Sequence, residues 1–96
     1  MIVAVDAELA DLIPRYLANR QADLCFAREM LEQGDYVLIA ALAHRLKGNA
    51  ASYGFVGLSE IALALEKAAN GRDTDGVVCQ LAAYQAFLAT LHIEYV

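Results

Sequence analysis

The densest cluster of reactive polar side chains in the chain is His44-Arg-Leu-Lys-Gly48. A neutral imidazole is a nucleophile at physiological pH and needs no general base to activate it. Lys47, three residues on, falls one helical turn from His44, where its ammonium would reach an anionic group formed on the ring. Arg45 adds positive charge beside it. These groups suit acceptance of a phosphoryl group on His44, with Lys47 screening the charge that arrives. There is no Gly-rich phosphate loop, no His-x-x-x-His pair and no nucleophile elbow. His44 and His92 are far apart and lack metal-ligand spacing, so no metal site is expected. The chain therefore carries no cofactor of its own, and the phosphoryl donor and any Mg²⁺ must come from a partner.

Chemistry at His44 requires it to face outward. At about 100° per residue, His44 is displaced by roughly 160° from Leu42 and Leu46, the apolar positions on either side. It shares its face with Val37, Ala40, Ala41, Lys47, Gly48 and Ala51, which make a shallow floor of mostly small residues. A glycine inside a helix costs about 1 kcal/mol relative to alanine. At i+4 from His44, Gly48 is expected to remove a side chain that would crowd the imidazole and to permit close approach of a partner.

The surrounding pattern is helical. Leu9, Leu12, Ile13, Tyr16, Leu17, Leu24 and Leu31 recur at helical spacing up to Gly34, and Pro14 divides them. A short N-terminal helix is predicted before Pro14, and a long one from Pro14 to about Gln33. Asp35 is the natural N-cap of a helix over Tyr36 to Ser52, with Ile39, Leu42, Leu46 and Ala50 inward. Phe55 and Val56, between Gly54 and Gly57, are expected to plug one end of the core. A helix carrying Leu58, Ile61, Ala62 and Leu65 follows, ending at Asn70-Gly71. Asp73, Thr74 or Asp75 caps the last helix, which bears Val77, Leu81, Tyr84, Leu88 and Leu91, with His92 near its end. The expected fold is all-α: one domain over residues 1–96, an antiparallel up-down four-helix bundle with a short extra N-terminal helix.

Composition narrows the class. The chain has 96 residues, 59% of them hydrophobic, with six Gly and one Pro, which excludes disorder and favours long helices. Seven basic against twelve acidic residues give a net charge of −5, which argues against nucleic acid or an anionic membrane as partner. The longest apolar run, Tyr36 to Ala43, is too short to span a bilayer, and the N-terminus lacks a basic leader. Cys25 and Cys79 are widely separated and read as buried thiols in a reducing, cytoplasmic setting.

Taken with Tyr53-Gly-Phe55 and Leu65-Glu66, the His44-Arg-Leu-Lys-Gly48 segment resembles the histidine-containing phosphotransfer (HPt) family over nearly the whole chain. The phosphotransfer domain of chemotaxis-type kinases carries a similar motif. The resemblance implies a four-helix bundle and a phosphorelay carrier that is not itself an enzyme. His44 would accept a phosphoryl group from an aspartyl phosphate on a receiver domain, or from a hybrid histidine kinase, and pass it to another receiver. Lys47 would steady the phosphate, Gly48 would permit docking, and Arg45, Ala40, Ala41 and Ala51 would line the docking surface. Mg²⁺ would be held by the response-regulator receiver, and the carrier would act as a monomer. Asn49 departs from the family pattern, which often has Ser or Ala after the glycine. The alternative is a helical adapter that binds a partner through the same face without phosphorylation.

Overall fold

Four helices carry the structure, a computed structural model in which residues 2–96 are described: α1 (Ile13–Glu32), α2 (Tyr36–Ser52), α3 (Val56–Asn70) and α4 (Thr74–Thr90). Each start and stop has a local cause. Pro14 stands in the first turn of α1, where its missing N–H costs nothing. Gly34, at φ +71°, turns the chain out of α1. The Asp35 carboxylate then accepts from the Leu38 N–H at 3.1 Å and caps α2. Of the three candidate caps for α4 it is Asp73 that serves, accepting from the Gly76 N–H at 3.0 Å.

The core runs along the bundle as Ile13, Tyr16, Leu24, Ala27 and Met30 of α1, Ile39, Leu42, Ala43, Leu46 and Ala50 of α2, Leu58, Ala62, Leu65 and Ala69 of α3, and Val77, Leu81, Tyr84 and Phe87 of α4. Phe87 takes the position expected of Leu88, which with Leu91 lies at the core edge. Tyr16, near the start of α1, meets Asn49, near the end of α2. On the other side, α3 packs along α2 closely enough for the Ser59 hydroxyl to donate to the Lys47 carbonyl at 2.9 Å.

The turn between α2 and α3 only half follows expectation. Gly54 adopts φ +86°, and Phe55 is fully buried as the residue preceding α3. Val56 is 62% exposed, because the first residue of α3 falls on the outer side once Phe55 turns inward. Phe55 meets Phe87 edge-on with centroids 6.2 Å apart, and a Cβ on Gly57 would come within 3.2 Å of the Phe87 ring.

The chain ends also differ from the sequence expectation. The short helical element before Pro14 is a single 3-10 turn, Ala7–Leu9. It is preceded by a strand, β1 (Ile2–Val5), which pairs in parallel with β2 (His92–Tyr95) in the register Ile2↔His92 to Val5↔Tyr95. His92 therefore lies in a strand and not in the last turn of α4, which ends at Thr90. Val5, the last residue of β1, is buried and joins the core. Cys25 and Cys79 are both exposed, against expectation. Cys25 follows Leu24 and falls between the buried positions of α1, and Cys79 sits two residues past Val77, on the opposite side of α4. Among the described residues no helix is long and apolar enough to cross a membrane.

Candidate functional site

His44 projects from the middle of α2 with its side chain 68% exposed. Along the same face lie exposed Val37, Ala41, Gly48 and Ala51 and half-buried Ala40, so the ring stands on a low floor open to solvent. Among the described residues, His44 lines neither the cavity bordered by Tyr16 and Asn49 nor the one bordered by Ala64 and Asp73. The ring therefore stands on open surface.

The imidazole is held by an acid from the next helix. Nδ1 of His44 lies 2.8 Å from Oε2 of Glu66 on α3. An ionised carboxylate only accepts, so Nδ1 carries the proton and donates it, and the lone pair is left on Nε2. Nε2 is thus the nitrogen with an available lone pair.

Lys47 belongs to the same bridge. Its ammonium donates to the other Glu66 oxygen, Oε1, at 3.1 Å. The Lys47 hydrogen bond is the main force holding the Glu66 carboxyl below the usual carboxylate range. Desolvation opposes it, and the His44 contact reinforces it. Glu66 therefore stays ionised when His44 is neutral and keeps its hold on both partners. The sequence expectation placed Lys47 beside His44, free to meet a phosphate; in the structure the two are joined through Glu66. Arg45 lies about 100° round α2 from His44 and takes no part in the bridge.

Gly48 requires a correction. A Cβ built there meets nothing within 4 Å, so a methyl group would not crowd the imidazole. The space over this position is open to solvent. Asn49, the departure from the family pattern, accepts a hydrogen bond from the Tyr16 hydroxyl at 2.6 Å and so ties α2 to α1.

Glu66 is the residue to which sequence reasoning assigned no role. It borders the buried stripe Leu58, Ala62, Leu65 and Ala69, which predicts that it lies beside a neighbouring helix. Which neighbour it meets depends on how α3 docks, and that is not written in the periodicity.

A sequence profile described as Hpt domain matches residues 6–93. Two virulence sensor proteins BvgS are similar: that of Bordetella bronchiseptica is 32% identical over 90 residues and that of Bordetella pertussis 31%. Each match covers 88% of this chain but only 7% of the relative, so the chain spans a small fraction of the relatives' length. No solved structure matches significantly. With a bundle of four helices, a surface histidine on the second of them and a profile match along most of its length, the chain belongs to the Hpt domain family.

Proposed function

We propose that the protein is the histidine phosphocarrier of a two-component phosphorelay, with His44 as its phosphoacceptor. One observation supports this above the others: Glu66 holds Nδ1 as the protonated nitrogen and leaves Nε2 unprotonated on an open face of small residues. The similarity to virulence sensor proteins makes signalling the natural context. The direct partners in this reading are response-regulator receiver domains or a hybrid histidine kinase, met in the cytoplasm by a monomeric carrier.

In the transfer, the Nε2 lone pair attacks the phosphorus of a receiver's aspartyl phosphate. The P–N bond forms as the bond from phosphorus to the aspartate oxygen breaks, and the aspartate leaves as a carboxylate. The ring, still protonated on Nδ1, then carries positive charge, and the Glu66 carboxylate stabilises it. Lys47, which shares the Glu66 carboxylate with His44, exchanges one Glu66 oxygen for a phosphoryl oxygen in this reading. Reversal of the same steps delivers the group to a second receiver. Positioning and charge stabilisation carry the rate, and the receiver contributes its own Mg²⁺. Gly48, Ala41 and Ala51, with Ala40 beneath them, let the receiver's active-site rim approach α2, and Arg45 flanks that approach.

The test is direct. Wild type and His44→Gln are incubated with phosphoramidate, a small-molecule phosphodonor, and followed by intact mass and acid lability. One acid-labile phosphoryl group on wild type and none on the variant is the expected result. Unlabelled, folded wild type alongside labelled control carriers would replace this reading with an adapter whose partner binding survives His44→Gln.

A further inference from the structure

A notch of about 310 Å³ opens between the first half of α1 and the end of α2, on the side of α2 turned away from Glu66. Its floor is apolar and aromatic, made by Leu12, Tyr16 and Tyr53, with the two tyrosine rings 4.2 Å apart. Its rim consists of donors: Arg15, Asn19, Arg20 and Asn49. No acidic residue lines it, in a chain whose net charge is −5.

Two of these donors are fixed in place. The Tyr16 hydroxyl occupies the Asn49 Oδ1 at 2.6 Å, so the side-chain oxygen is engaged and the NH₂ group is the free end. The Arg20 guanidinium lies over the Tyr16 ring at 4.6 Å, and its Nε donates to Asp23 at 2.8 Å. Asp23 balances the charge of Arg20. Arg15 has no ion-pair or hydrogen-bond partner among the described residues, so the rim carries about one uncompensated positive charge.

We propose that this notch is a carboxylate-binding site that receives an acidic side chain of the partner protein. A single surplus charge suits a monoanion better than a phosphate dianion. The tyrosine floor suits the methylene stem of a glutamate, and the Arg15 guanidinium and Asn49 amide supply donors for the carboxylate oxygens. On a carrier of net charge −5, such a point of opposite charge fixes the orientation of a partner that presents a carboxylate. The notch uses none of the groups assigned to phosphoryl acceptance, so it stands or falls independently of His44.

The probe is a glutamate side-chain mimic, N-acetyl-glutamate α-methylamide, titrated into ¹⁵N-labelled protein while the backbone amides of residues 15, 16 and 49, present in every variant, and the Asn49 side-chain amide of wild type are followed by NMR. Saturable shifts in the millimolar range are expected, with no response to the glutamine analogue. Arg15→Ala is expected to weaken the mimic at least about fivefold. Asn49→Asp, which keeps an acceptor for Tyr16 but removes the donor, is expected to abolish binding. His44→Gln is expected to bind as wild type does. Non-saturating shifts, an equal response to the glutamine analogue, unchanged affinity in Arg15→Ala, or tighter binding of inorganic phosphate would each overturn the proposal.

Discussion

Oε2 of Glu66 lies 2.8 Å from Nδ1 of His44, so an acid on α3 decides which nitrogen of a histidine on α2 is presented to solvent. Because the other Glu66 oxygen holds Lys47, one side chain sets the ring's protonation pattern and positions its cation.

Glu66→Gln should therefore slow phosphorylation of His44 by phosphoramidate about tenfold or more, roughly 1.4 kcal/mol in the barrier. The amide can turn either its oxygen or its NH₂ toward the ring, so the preference for a protonated Nδ1 weakens. Long-range ¹H–¹⁵N spectra of the imidazole check this separately, showing one tautomer in wild type and a mixture in the variant. A wild-type ring already divided between tautomers would contradict the role given to Glu66.

Lys47→Ala should leave the ring tautomer in place, since the Glu66–His44 contact does not pass through Lys47. It should shorten the lifetime of the phosphohistidine several-fold, measured by loss of the added mass with time. It should also return the Glu66 carboxyl toward its ordinary value of 4.5, because the Lys47 hydrogen bond is the largest influence holding it down. A carboxyl held down contributes stability that is present above its ordinary value and is lost as pH falls through the lowered one. Carboxyl ¹³C shifts followed below pH 5 should show Glu66 taking its proton later in wild type than in the variant.

Open space around Gly48 separates stability from docking. Gly48→Ala should raise stability by about 0.5–1 kcal/mol in urea unfolding, because it replaces a mid-helix glycine and meets no neighbour. Gly48→Gln should fold equally well yet bind or exchange phosphoryl groups with receivers more weakly. If Gly48→Ala destabilised the bundle, the glycine would have an internal role that its surroundings do not reveal.

Alkaline stability should depend on the core tyrosines. Burial raises the hydroxyls of Tyr84 and Tyr16 above the ordinary phenol value of 10.0, and Tyr84 donates to the Arg20 carbonyl. Unfolded tyrosines ionise near the ordinary value, so the fold keeps this contribution below pH 10 and loses it as pH rises toward the raised values. Tyr84→Phe should cost about 1 kcal/mol at neutral pH through the lost hydrogen bond. It should also lessen the fall in stability between pH 9 and pH 11, read from urea midpoints.

Local signals carried most of the helical layout. Pro14 and Asp35 mark two helix starts by their own chemistry, a third start is legible only as one of Asp73, Thr74 or Asp75, and the outward placement of His44 follows from its angle to Leu42 and Leu46. Whatever depended on distant partners was not legible. Four residues cannot announce β1 when its partner lies about ninety positions away, and the polar faces of α2 and α3 do not state that His44 and Lys47 converge on Glu66. Val56 and the two cysteines are exposed for a different reason: their angular position on the helices outweighs their hydrophobic type.

The parallel pairing of β1 and β2 has a mechanical consequence. The first residue of β1 and the last residue of β2 stand at opposite ends of the ribbon, and the ladder continues through the Val96 N–H to the Val5 carbonyl and the Ala7 N–H to the Val96 carbonyl. Tension applied between those two points runs along the strands, so their hydrogen bonds bear the load together in shear and do not peel one at a time. The four helices lie between the strands in sequence but outside that line of force. Until the ribbon ruptures, a pull on the chain ends leaves the spacing of His44, Lys47 and Glu66 undisturbed.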